Sequence, residues 1–150
     1  MPVTNRGKFR ILQVFFRNQS VPATFYLALA KATVTPTVDT NTLNELAEVA
    51  AGNGYTAGGV AVARSAAAWD VLTEDDATDR ALVQMADVAF TASGGTLPSD
   101  AVGATYVLLL DDNATPASRD VIAFAALNPA PLLATTGQTL TIQDWQFDGI

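Results

Sequence analysis

At 150 residues, with 49% apolar residues and a net charge of −7, the chain is sized for one domain burying roughly two-thirds of the surface it exposes when unfolded. It contains neither cysteine nor histidine, which excludes disulfides, thiol catalysis, the usual general base and the commonest transition-metal ligands. Its acidity argues against nucleic acid as the main partner, and no apolar run approaches the roughly 18 residues of a membrane-spanning helix.

The first segment departs from this acidity. Arg6, Lys8, Arg10 and Arg17 are four of the eight basic residues and precede every acidic one, the first being Asp39. Phe9, Leu12 and Phe16 recur at helical spacing, and Ile11 and Phe15 widen the stripe. A helix is therefore predicted from Thr4 or Asn5 to about Arg17, with either of the first two as its cap. Gly7 weakens it, and cations in its first turn oppose the macrodipole by a few tenths of a kcal/mol each. Their placement implies a role other than helix stability. Arg6, Lys8, Phe9, Arg10, Phe15, Phe16 and Arg17 are accordingly the candidate protein interface, against the plainer reading of a solvated basic face. Residues 11–16 superficially resemble the start of a secretory signal, but Gln13 and Arg17 interrupt the run and no small-residue cleavage pattern follows. The segment is expected to belong to the folded protein, and the lack of cysteine fits synthesis in a reducing cytosol.

A turn at 18–23 contains Pro22, residues 25–30 alternate as a strand, and the Thr- and Pro-rich stretch 31–41 is expected to be extended. Thr42-Leu43-Asn44-Glu45 matches a capping box opening a short helix through Leu46, Ala47, Val49 and Ala50. Gly52 would end that helix. Residues 52–59 then hold four glycines in eight positions. They fit the G-x-G-x-x-G/A dinucleotide pattern formally, but that motif must follow a strand and open a helix, and here the order is reversed. Gly52, Gly54, Gly58 and Gly59 are read as a structural turn anchored by the packing of Tyr55. Strands are predicted at 60–64, 69–72, 81–90 with an irregularity near Ala86, 105–110, 121–127 and 139–147. This spacing specifies a mainly β protein, a jelly-roll-like or related β-sandwich with an N-terminal helix and one further short helix. It would form one domain over 1–150, with a basic helical segment at 1–18 and a β-sandwich body at 22–150.

Chemistry-bearing clusters are few. Residues 74–79 and 111–113 are rich in carboxylates, a ligand type that suits Ca²⁺, but the EF-hand spacing is missing and Asp and Asn are also turn formers. Trp69 and Trp145 with Tyr26, Tyr55 and Tyr106 are either a sugar-stacking platform or, as is commoner at strand positions, core aromatics. A carboxylate pair would suffice for glycoside hydrolysis, but the acids cluster in apparent turns. No enzymatic activity, cofactor or metal is expected.

Six segments carry a resemblance: 22–29 (PATFYLAL), 42–46 (TLNEL), 52–59 (GNGYTAGG), 69–72 (WDVL), 90–95 (FTASGG) and 104–110 (ATYVLLL). In these the chain resembles small tailed-phage structural proteins of the capsid decoration (cement) or tail-associated type. The resemblance implies a β-rich fold and a virion role without catalysis. The expected function is reinforcement of contacts between major capsid protein subunits by a homo-oligomer, dimer or trimer, on the outer surface of the capsid after synthesis in the host cytoplasm. No nucleic-acid or membrane partner is expected. The alternative is a tail-fibre or baseplate module that binds host-surface glycans.

Overall fold

Two largely apolar runs of the chain, Thr24–Ala30 (TFYLALA) and Tyr106–Leu110 (YVLLL), lie side by side at its centre. A computed structural model describes residues 2–148. Among them are a helix, α1 (Asn5–Arg17), and nine strands: β1 (Thr24–Ala30), β2 (Val60–Ala63), β3 (Val71–Asp75), β4 (Arg80–Met85), β5 (Val88–Thr91), β6 (Tyr106–Leu110), β7 (Val121–Ala126), β8 (Thr139–Ile142) and β9 (Trp145–Asp148). All paired strands are antiparallel. The first sheet has the order β2-β1-β6-β7. Its two inner strands read as unbroken apolar runs because both of their faces are covered. Leu27, Leu29, Val107 and Leu109 join the main core, whereas Ala28, Ala30, Leu108 and Leu110 join a second cluster with Leu43, Leu46 and Val121.

In the opposing layer the irregularity expected near Ala86 is a full break, and the single strand predicted at 139–147 is broken as well. Residues 81–90 and 139–147 each divide in two, β4 with β5 and β8 with β9, and the halves pair crosswise: β4 with β9 and β5 with β8. The register from Met85↔Trp145 to Val88↔Ile142 is continuous across the break, so these strands are two arms of one ribbon, opened where it bends. Polar groups hold the bend. Asp144 has a left-handed φ of 47°, its N–H donates to Asp87 Oδ1 at 3.3 Å, and its carboxylate accepts from Gln84 Nε2 at 2.9 Å. Ala86 N donates to Ala68 O at 3.0 Å. Met85, Trp145 and Phe147 from one arm and Phe90, Leu140 and Ile142 from the other thereby enter one core with Leu27 and Val107. The result is a β-sandwich with an N-terminal helix.

The second predicted helix shrinks to a single 3₁₀ turn, Leu43–Glu45. Its capping logic survives: the Glu45 carboxylate accepts from Thr42 N at 3.3 Å and Asn41 N at 3.0 Å. Beyond it, Lys31 N donates to Ala47 O at 2.8 Å and Val49 N to Leu29 O at 3.0 Å, which draws the chain along the edge of β1 where β2 has ended. A helix of two turns is marginal alone, and buried strand groups need partners, so the edge wins.

The glycine cluster follows as a reversal. Gly52 and Tyr55 exchange hydrogen bonds of 2.8 and 3.1 Å around Asn53 and Gly54, both at positive φ. Tyr55 is buried; its hydroxyl accepts from Leu29 N at 3.1 Å and donates to Glu48 Oε1 at 2.7 Å. Burial, reinforced by the Glu48 charge, pushes the phenol pKa far above its ordinary range, so Tyr55 remains a donor. The same Glu48 oxygen accepts from Gly58 N. Arg119 Nη1 donates to Gly58 O at 2.7 Å, and its guanidinium lies 3.3 Å from the centre of the Tyr26 ring.

Backbone approach explains two of these glycines. A Cβ at Gly54 would lie 2.0 Å from Thr91 O, and one at Gly59 would lie 2.2 Å from Leu27 O. Gly54→Ala and Gly59→Ala are expected to cost about 3 kcal/mol or more in urea unfolding. Gly137→Ala, also at positive φ but with nothing within 4 Å, should cost about 1–2 kcal/mol. Equal losses at all three positions would show that dihedral strain, not close approach, sets the requirement.

Candidate interaction surface

The N-terminal segment attaches to the outer edge of β7 before the helix begins. Val3 bridges Ala123, and Thr4 N donates to Ile122 O at 2.9 Å. Thr4 is fully buried; its hydroxyl accepts from Gly7 N at 2.8 Å as the helix cap and donates to Val121 O. Asn5 ties the first turn to the 35–41 loop, N donating to Val38 O at 2.7 Å and Nδ2 to Asp39 Oδ1 at 2.8 Å. At Gly7 a Cβ would meet Ile122 O at 2.3 Å. The residue expected to weaken α1 is the one that lets it lie against the sheet.

The first-turn cations have their counter-charges here. Arg6 Nε lies 3.0 Å from Asp120 Oδ1, Arg10 Nε 3.4 Å from Asp120 Oδ2, and Arg10 Nη2 3.8 Å from Asp111 Oδ2. Both carboxylates are largely buried, with side chains 8% exposed. Asp111 Oδ1 also accepts from Asp120 N at 2.9 Å and Asn113 N at 3.3 Å. Burial raises the Asp111 pKa; those hydrogen bonds and Arg10 oppose the rise. Arg6 and Arg10, assigned from sequence to an interface with another chain, thus engage carboxylates of their own chain. The contacts offset the unfavourable placement of cations in a first turn.

Docking by this side turns the more apolar side of α1 outward. Gly7, Arg10, Ile11 and Val14 are buried or half-buried, whereas Phe9 is 49%, Leu12 53%, Phe15 80% and Phe16 71% exposed. Phe15 and Phe16 meet edge to face with centroids 5.0 Å apart. Lys8 and Arg17 are exposed on the same helix. Asn18, in the left-handed conformation with its N–H on Gln13 O, ends the helix. With side chains of this size, the four apolar residues present roughly 500 Å² to solvent, as much as the largest apolar patch on a typical monomer.

Other sequence-derived candidates have structural places. Trp145 is 5% exposed. Trp69 packs edge-on against Phe25 at 5.7 Å and donates its Nε1 proton to Ala63 O at 3.1 Å. Tyr55 is buried and Tyr26 is covered by Arg119, so these rings do not assemble into a stacking platform. The Gly52, Gly54, Tyr55, Gly58 and Gly59 cluster is a packed joint of the body. The acidic segment 74–79 is the β3–β4 hairpin tip: Asp75 accepts from Ala77 N at 3.1 Å and Thr78 Oγ1 at 2.6 Å, and pairs with Arg80 at 3.6 Å. Hydrogen bonding to Thr78 leads the influences that hold its pKa below the ordinary carboxylate value. Among the described residues no group of three or more His, Cys, Asp or Glu side chains converges as a metal site.

Sequence reasoning passed over two features. One is the Asp111–Asp120 pair, whose signal is a carboxylate at each facing end of β6 and β7. The other is Leu72, 77% exposed, in a shallow groove of about 570 Å³ on the hairpin with Glu74, Asp76, Asp79 and Ala81. No protein-family model matches this chain, and no curated protein matches it in sequence.

Alanine normally stabilises a helix over glycine by about 1 kcal/mol, but Gly7→Ala is expected to destabilise the protein by about 1–3 kcal/mol through displacement from β7. An unchanged or raised melting temperature would mean that α1 is free to shift. Asp120→Asn should cost about 1–3 kcal/mol at pH 7 because both arginines lose their shared partner. Asp111→Asn should cost less than about 1 kcal/mol. With a folded pKa above the unfolded one, the contribution of Asp111 titration to stability is present below the unfolded pKa and lost as pH rises through the folded one. Differential calorimetry of the two variants measures the contrast.

Proposed function

We propose that the chain is a non-enzymatic structural subunit of a tailed-phage virion: a capsid decoration protein that reinforces contacts between major capsid protein subunits on the outer surface of the shell. The observation that carries this reading is the outward aromatic face of α1. A helix fixed at its N-terminal end by a buried cap, a close backbone approach and ion pairs to two carboxylates holds four large apolar side chains in solvent. Such a face suits coverage by protein, with its conformational entropy already reduced before contact. The six segments that resemble phage structural proteins lie in β1, the 3₁₀ turn, the glycine reversal, the entry to β3, the end of β5 and its following turn, and β6. They occupy structural positions, which suits a subunit that acts through shape.

The glycan-binding alternative required accessible tryptophans, and it is weakened by the burial of Trp145 and the half-buried packing of Trp69 against Phe25. A decoration protein is expected in purified empty heads in stoichiometric copy number with the major capsid protein. Quantitative gel analysis of separated heads and tails of the phage that encodes the chain checks this, and recovery in tails alone would overturn the assignment.

A further inference from the structure

Three facts constrain what covers the aromatic face of α1. First, the helix has no acidic residue. With Arg6 and Arg10 engaged by Asp120 and Asp111, Lys8 and Arg17 are the cations left beside that face. A symmetric helix-to-helix contact between two copies would bring these like charges together with no carboxylate on either helix to offset them. Second, the rest of the chain is acidic, so two exposed cations cannot hold it to a phosphate backbone or an anionic bilayer against the repulsion of the body. Third, the chain itself displays a complementary surface. Leu72 and Ala81 are exposed on the β3–β4 hairpin in a groove lined by Glu74, Asp75, Asp76, Asp79 and Arg80, in which Arg80 pairs with Asp75 and the other three carboxylates leave a net negative charge. The hairpin belongs to a different sheet from β7, whereas α1 packs on β7.

We infer that the aromatic face of α1 in one copy docks on the β3–β4 hairpin groove of the next copy, making a head-to-tail homo-oligomer. Phe15 and Phe16 cover Leu72 and Ala81, and Lys8 and Arg17 meet Glu74, Asp76 and Asp79. Because donor and acceptor surfaces differ, each copy makes the contact twice, once with its helix and once with its hairpin, and the chain closes into a ring or extends. Each contact draws on the roughly 500 Å² of the aromatic face, below the roughly 800 Å² per partner of a standard interface, so a single contact is expected to be weak and the experiment is run at high protein concentration. This inference rests on reading α1 as an assembly surface, but it concerns the protein alone and stands or falls without a capsid.

The test is sedimentation velocity of the full chain with two variants, Phe15→Asp/Phe16→Asp on the helix and Leu72→Asp on the hairpin. All three sites are solvent-exposed, so circular dichroism should show both variants folded. Wild type at about 100 µM is expected to form oligomers, with the association weakening about tenfold between roughly 0.05 and 0.5 M salt. Each variant alone is expected to be monomeric. Mixed together they retain one intact helix and one intact groove, and should form a one-to-one heterodimer that goes no further. A monomeric wild type, an oligomer insensitive to Leu72→Asp, or a mixture that stays monomeric would each overturn the inference. So would oligomers that tighten with salt, or co-sedimentation of wild type with phosphatidylglycerol vesicles instead of with itself. Absence of the chain from purified heads would overturn the capsid assignment while leaving a heterodimer result intact.

Discussion

Burial of β1 and β6 on both faces sets the terms for the rest of the molecule. Strands with two dry faces need every backbone group paired and both sides covered by apolar material. On one side the bent ribbon of β4–β5 and β8–β9 supplies that cover, and on the other Leu43, Leu46 and the segment around them do. The edge of β1 beyond β2 draws in residues 47–49, and Tyr55 provides the hydroxyl that accepts from Leu29 N. The glycine reversal exists to return the chain to β2 through this narrow space, which is why two backbone carbonyls stand where side chains would be.

The same requirement reaches α1 through β7. The outer edge of that strand is a row of backbone groups open to pairing, and Val3 and Thr4 take up part of it. Gly7 then brings the helix close, and Asp120 and Asp111 neutralise the arginines that this approach carries inward. Charge and sterics thus select which side of α1 meets the body, against the hydrophobic preference of the helix. The energetic loss from leaving Phe9, Leu12, Phe15 and Phe16 in water is substantial, at roughly 25 cal/mol per Å² of exposed apolar area. A face retained under that penalty is consistent with a protein that works in an assembly.

The charge distribution follows the same division of labour. Two of the four N-terminal cations engage their own chain and two remain outward, while the hairpin tip exposes carboxylates around Leu72. Like-signed bodies repel at a distance, so the proposed head-to-tail contact would depend on apolar contact at short range with opposite charges aligning it.

Local pattern determined much of this protein. The bounds of α1, the apolar strands β1, β6 and β7, the capping residues around Glu45 and the turn at the glycine cluster all follow from spacing along the chain. Tertiary structure decided what spacing does not encode. Helical periodicity shows that Phe9, Leu12 and Phe16 share a side, but not whether that side faces inward; a steric requirement at Gly7 and carboxylates far along the chain settle it. The interruption near Ala86 is legible in the run 81–90, but 139–147 looks like a single strand because it is locally continuous, and the bend that divides both arises from the sheet they cover. Residues 46–50 have helical spacing, but the unpaired edge of β1 offers their backbone stronger partners. In each case the deciding groups lie on other strands, and only folding brings them within bonding distance.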